Sequence, residues 1–326
     1  MNAKENYLTM LRGEIPEYVP SMFEPRVAHY TEEWLTPVYA PNGPVVTKLG
    51  VTYVGSPDLN NGAMPKPGEY ILDDITRWRD CIHAPDTSDF DWEAYYKEKT
   101  KDVDRKTQSL AATGGDYFLT LISFMGFENA MLALYEEPEE VKALLEYVSE
   151  FYVEVLKQQL RWLKPDTVSI MDDDAALRAP FFSVDMYREF FKPYQKIHCD
   201  LARENGLLLE RHDCGRSEQF VPDWVEMGIR SWNPAQTTND LVSIKKRFVG
   251  KLALCGAWDS MKWAACEDEE EYRAALKEYV DTFAPGGGFV FAAMAGGTPD
   301  SPGYKMRQEA VQDVYKNYAR DYYKTH

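Results

Sequence analysis

The chain predicts an α/β fold, and within that class a (β/α)8 barrel. Three observations carry the prediction. After Gly114, apolar runs of four to seven residues alternate with segments whose apolar residues recur at helical spacing. Alternation of buried strand and amphipathic helix means parallel strands joined by right-handed crossovers. Six such units, added to the strands expected earlier in the chain, come close to eight. Finally, no GxGxxG follows a strand and no GxxxxGK[ST] occurs, which disfavours a doubly wound nucleotide-binding sheet. At 326 residues the chain suits one barrel with additions, so residues 1–326 are read as a single domain.

Taken in order, residues 3–12 pattern as a short amphipathic helix ending at Gly13, followed by a first strand from Tyr18 to Phe23. Residues 27–110 are irregular and rich in Pro and Gly. So long a stretch without helical periodicity reads as an insertion or lid wrapped over the barrel mouth. Within it Leu49–Gly55 patterns as a strand, and the segment from Trp92 to Ala112 as a helix. The expected barrel strands then follow: Tyr117–Ser123, Thr167–Met171, Leu207–Glu210, Ile229–Trp232, Leu252–Cys255 and Phe289–Ala293. Between the first two lies a helix with Val141, Leu144, Leu145, Val148, Tyr152 and Val155 on one stripe. Pro138 sits where a first helical turn tolerates it.

Composition bounds the partners. Apolar residues make up 44% and aromatic residues 13%, enough for a large core, and the net charge is −17. Such a charge argues against nucleic acid and against an anionic membrane surface. No run of 18 apolar residues occurs, and the opening MNAKENYLTMLRGE is too polar for a secretory signal, so a cytoplasmic location is expected. Five cysteines without a scaffold-like spacing read as free thiols or metal ligands.

The chemistry concentrates in LLLERHDCGR, Leu207 to Arg216. In a strand the two-residue period puts Glu210, His212 and Cys214 on one face. A histidine and a cysteine two apart at a strand end form a bidentate zinc ligand, and Gly215 lets the backbone turn away. Cys255, at the end of a strand two along, is the expected third ligand. Active sites of such barrels lie at the strand ends. Those ends offer Asp172, Asp173 and Asp174, which either cap the next helix or set one of their number against a cation, with Glu210 and Asp259 as further acids. Glu24, Arg26, Phe124, Tyr187, Asn233, Gln236, Trp258 and Met294 are offered as substrate-binding groups, the aromatic ones suiting a ring.

These segments, with VPDWVEMGIRSWNPAQ (Val221–Gln236), LALCGAWDS (Leu252–Ser260) and APGGGFVFAAM (Ala284–Met294), resemble the uroporphyrinogen decarboxylase superfamily, and within it the cobamide-dependent methyltransferases. The resemblance implies a (β/α)8 barrel and a catalytic zinc held by an HxC pair and a later cysteine. Two departures stand out. The decarboxylases' arginine-rich N-terminal signature is not matched by PSMFEPRV, which has only Arg26. The last-strand cysteine of the coenzyme M methyltransferases is replaced by Phe291, Ala292, Ala293 and Met294.

The expectation is therefore a zinc-assisted methyltransferase taking a methyl group from a methoxylated aromatic compound to a corrinoid protein. The corrinoid, a cobalamin, is carried by that partner, and a homodimer is allowed. The alternatives are methyl transfer from methyl-corrinoid to a thiol or tetrahydrofolate, uroporphyrinogen decarboxylation, and a non-catalytic zinc-containing barrel.

Overall fold

The computed structural model describes residues 1–22, 33–56 and 61–326, and of residues 26–28 the backbone strand alone. Among the described residues ten strands are formed: β1 (Arg26–Ala28), β2 (Val45–Val46), β3 (Thr52–Ser56), β4 (Gly62–Pro65), β5 (Ser109–Thr113), β6 (Thr167–Met171), β7 (Leu208–His212), β8 (Ile229–Ala235), β9 (Ala253–Gly256) and β10 (Phe289–Phe291). The main sheet has the order β1-β5-β6-β7-β8-β9-β10, with every pair parallel. Its two edges are bridged. Met22 N donates to Phe291 O at 3.0 Å, and Phe291 N donates to Pro20 O at 2.8 Å, so the segment leading into β1 pairs with β10. Where eight strands are expected, seven are joined among the described residues.

Helices lie between the strands because their apolar stripes need a surface to cover. The longest, Pro138–Gln158, begins with proline at its first position and buries Val141, Leu144, Leu145, Val148, Tyr152 and Val155. The outward residues of β6, Val168 and Ile170, are without exposed surface, and the helix Lys192–Glu204 packs against that strand. Burial of such side chains stabilises by about 1.5–3 kcal/mol each. The N-terminal helix Ala3–Leu11 packs Leu8, Met10 and Leu11 against Leu208 and Ala253, at strand beginnings.

Two expectations are corrected. Tyr117–Ser123, expected as a strand, lies at the start of the helix Phe118–Met125, and the strand in that place is β5. The helix expected from Trp92 to Ala112 stops at Lys99, so that Ser109–Thr113 runs extended with all five residues buried. A continuous apolar run such as Tyr117–Ser123 fits a buried helix as well as a buried strand, and packing decides; the other segment changes from helix to strand across its charged stretch after Lys99. That helix and the next, Phe127–Glu136, bend by 110° to each other. No single helix among the described residues is long and apolar enough to cross a membrane.

Between β1 and β5 the chain makes an excursion that includes the antiparallel sheet β2-β3-β4. It is fixed by Trp34, whose ring lies 4.7 Å from Trp92 and 6.1 Å from Phe151. It is also fixed by a buried polar contact: Thr36 and Thr120 both donate hydroxyl hydrogen bonds to Asp116 Oδ1, at 2.9 and 2.7 Å. Burial, then the nearby charge of Asp172, pushes the Asp116 carboxyl up to about 7.

The folded state therefore favours protonated Asp116. Its contribution is fully present below the ordinary carboxylate range and is lost as pH rises through about 7. Relative to wild type, Asp116→Asn should gain stability as pH is raised from 5 to 8. Parallel urea titrations measure this, and identical pH dependence in the two proteins would refute it.

Candidate functional site

The sheet encloses a chamber of about 340 Å³. Tyr7 of the N-terminal helix reaches its floor, and Tyr39 of the excursion, itself 55% exposed, lines its wall. The strands present Ser109, Ser169, Met171, Glu210, His212, Asn233 and Cys255. At the floor, Glu210 accepts hydrogen bonds from Tyr7 Oη at 2.5 Å and Thr167 Oγ1 at 2.6 Å.

At the top of β6 and β7 three ligand atoms converge. Cys214 Sγ is 3.6 Å from His212 Nε2, and His212 Nε2 is 3.8 Å from Asp173 Oδ1. All three lie within 4.8 Å of one another, and the residues are half-buried. The same Asp173 oxygen accepts the Cys214 backbone N–H at 2.8 Å. Burial, then the Asp173 carboxylate, pushes the Cys214 thiol well above its ordinary range.

Strand alternation explains why Asp173 joins and its neighbours do not. Thr167, Ser169 and Met171 face the interior of the sheet, so Asp173 follows them, while Asp172 and Asp174 turn behind it. Asp172 is buried and accepts the backbone N–H groups of Tyr117, Phe118 and Leu119 at 2.9–3.2 Å, capping a helix. Asp174 is buried against Arg211, which also bonds Asp213 and stands 5.0 Å from the Trp224 ring.

Cys255, expected as third ligand, does not fall in the group whose ligand atoms converge. The described residues that could hold an ion together are Asp173, His212 and Cys214. Cys255 lines the chamber two strands away, where Asn233 Nδ2 lies 3.4 Å from its sulfur. In the sheet order β8 stands between β7 and β9.

Of the other expected residues, Asn233 reaches the chamber and Gln236 grips the turn after His212, accepting Gly215 N–H at 2.7 Å. Asp259 caps a surface turn through Lys262 N–H at 2.9 Å. Phe124 and Tyr187 are buried among helices, Tyr187 donating to Gln195 at 2.6 Å. Trp258 donates to Met294 O at 3.0 Å at the rim, beside an apolar groove that Met294 helps to line. Glu24 and the Arg26 side chain lie outside the described residues. Tyr7 and Tyr39 were not foreseen, and of the three aspartates at the end of β6 it is Asp173 that reaches the donor group. The polar-apolar alternation of TVSIM could have found Asp173; nothing local marks the two tyrosines, which arrive from distant segments.

A fold of this class, a parallel α/β sheet bridged at its edges with polar groups at the strand tips, is shared with known proteins. The uroporphyrinogen decarboxylase (URO-D) family model matches residues 90–313, and the chain belongs to that family. Among solved structures it resembles a methyltransferase from Methanosarcina mazei, with a TM-score of 0.60 and 13% identity over 97% of this chain and 99% of that one. At that identity the likeness is one of fold. No curated protein matches the sequence.

Gly215 is essential to the geometry. Its φ is +84°, and an added Cβ would stand 2.3 Å from Ala175 O. Gly215→Ala should cost about 2–4 kcal/mol, combining left-handed strain with a backbone clash. Thermal and urea unfolding measure this; a loss below about 1 kcal/mol would contradict the described turn.

Proposed function

We propose that the chain is a methyltransferase that takes a methyl group from a methoxylated aromatic compound and passes it to a corrinoid carried by a separate protein. The observation supporting this most directly is the nitrogen, sulfur and oxygen donor set of His212, Cys214 and Asp173 beside a chamber of about 340 Å³. Those three residues would hold zinc, a borderline ion that accepts this mixture of ligands. Bound there, zinc supplies polarisation of the ether oxygen, so that the departing phenolate is stabilised.

The residues around it have separable tasks. Met171, Val290 and Tyr39 offer an apolar wall against which a ring can lie, while Ser109, Ser169 and Asn233 offer hydrogen bonds to its substituents. Glu210, held by Tyr7 and Thr167, fixes the polar end of the chamber.

Family membership favours a second reading, decarboxylation of uroporphyrinogen. The chamber is at the small end of ligand sites, roughly 300–1,000 Å³. A substrate bearing eight carboxylates also meets a chain of net charge −17. Both favour a single-ring guest.

Wild-type protein should carry zinc, and His212→Ala, Cys214→Ala and Asp173→Ala should lose it while Cys255→Ala retains it; elemental analysis decides. Zinc-free wild type, or full zinc in Cys214→Ala, would overturn the site. Methylcobalamin should form from cob(I)alamin and a methoxybenzene, followed by its absorbance. His212→Ala should slow that at least about 100-fold, the scale of losing one preorganised electrostatic contact. Carbon dioxide release from uroporphyrinogen, with no methyl transfer, would select decarboxylation instead.

A further inference from the structure

The turn carrying Cys214 leaves β7 and crosses the sheet top with its peptide groups held from outside. Trp232 Nε1 donates to Asp213 O at 2.9 Å, Ser217 Oγ to Cys214 O at 3.0 Å, and Arg216 N to Ala176 O at 2.9 Å. Asn239, only 7% exposed, does more than any of these. Its Nδ2 donates to Gly215 O and to Gln236 O, each at 2.9 Å, and its Oδ1 accepts the Glu218 N–H at 2.9 Å. The strap is reciprocated, since Glu218 Oε2 accepts the Asp240 N–H at 2.6 Å. Gln236, whose own carbonyl Asn239 holds, accepts the Gly215 N–H at 2.7 Å. Both sides of the Gly215 residue, directly after Cys214, are thus fixed to the loop that follows β8.

We infer that Asn239 is a positioning residue that sets the Cys214 sulfur at its distance from His212 and Asp173, although it touches none of the three. The inference rests on reading that triad as a metal site. A carboxamide is required at 239 because one end must donate to two carbonyls while the other accepts an amide. Aspartate has the same shape and no donor, and it would set a carboxylate against two carbonyl oxygens. Partners beyond the ligands of a metal site typically contribute roughly 10–100-fold in affinity.

The test compares wild type with Asn239→Asp, using Asn239→Ala as the milder variant should the first fail to fold. Two readouts are taken on the full chain. Cobalt(II) titration followed by the thiolate-to-cobalt absorbance band should show an affinity at least about tenfold weaker in the variant. Alkylation of the metal-free protein, mapped by mass spectrometry, should show Cys214 reacting several-fold faster while exposed Cys81 is unchanged. Unchanged cobalt affinity together with unchanged Cys214 alkylation, in a folded variant, overturns the positioning role. Wild type that develops no thiolate band overturns the metal reading and this inference's metal consequence, and the alkylation comparison then decides the strap itself.

Discussion

The buried contact of Arg211 with Asp174 and Asp213 is the interaction on which the site's geometry hangs. Arg211 comes from β7, Asp174 follows β6, and Asp213 lies between His212 and Cys214 in the chain. All three side chains have no exposed surface, and the guanidinium also meets the Trp224 ring. Strand residues alternate between faces, so fixing these groups behind the sheet forces Asp173 and His212 to its inner side. Two buried carboxyls share one cation, and burial pushes both above the ordinary carboxylate range while Arg211 opposes it. Removing one partner of such a group costs about 3–5 kcal/mol, because the remaining charge is stranded. The charged cluster is a frame for the donor set and not itself the chemistry.

From that frame the chamber follows. The N-terminal helix covers the strand beginnings and brings Tyr7 to Glu210, while the excursion between β1 and β5 brings Tyr39 to the chamber wall. Trp34 and the Thr36–Asp116 contact hold that excursion down through apolar packing and a buried carboxyl. Enclosure and donor set are thus made by separate parts of the chain. This separation lets a family fold keep its sheet while changing what the chamber accepts.

Family membership and the donor set bear on function at different levels. The URO-D match covers β5 through most of the last helices and supports a common architecture. It does not choose between losing a carboxylate and moving a methyl group. The choice proposed here comes from residues: a thiol, an imidazole and a carboxylate within ligand distance, beside a space the size of one substituted ring.

Much of this was legible in the residues alone. Alternating apolar runs gave the parallel α/β class, and β6 was delimited to the residue, because TVSIM is a buried strand bounded by polar residues. The HxC pair and Gly215 were visible for the same reason: two-residue spacing and a turn are local properties. Tertiary structure decided what depends on contact between distant segments. Phe118–Met125 became a helix because packing, and not its uniformly apolar sequence, chose between helix and strand. Asp173 meets His212 and Cys214 because β6 and β7 are hydrogen-bonded neighbours, a pairing of distant segments that local spacing does not show. Sequence spacing fixes which face a side chain takes; only strand order in space fixes which side chains meet.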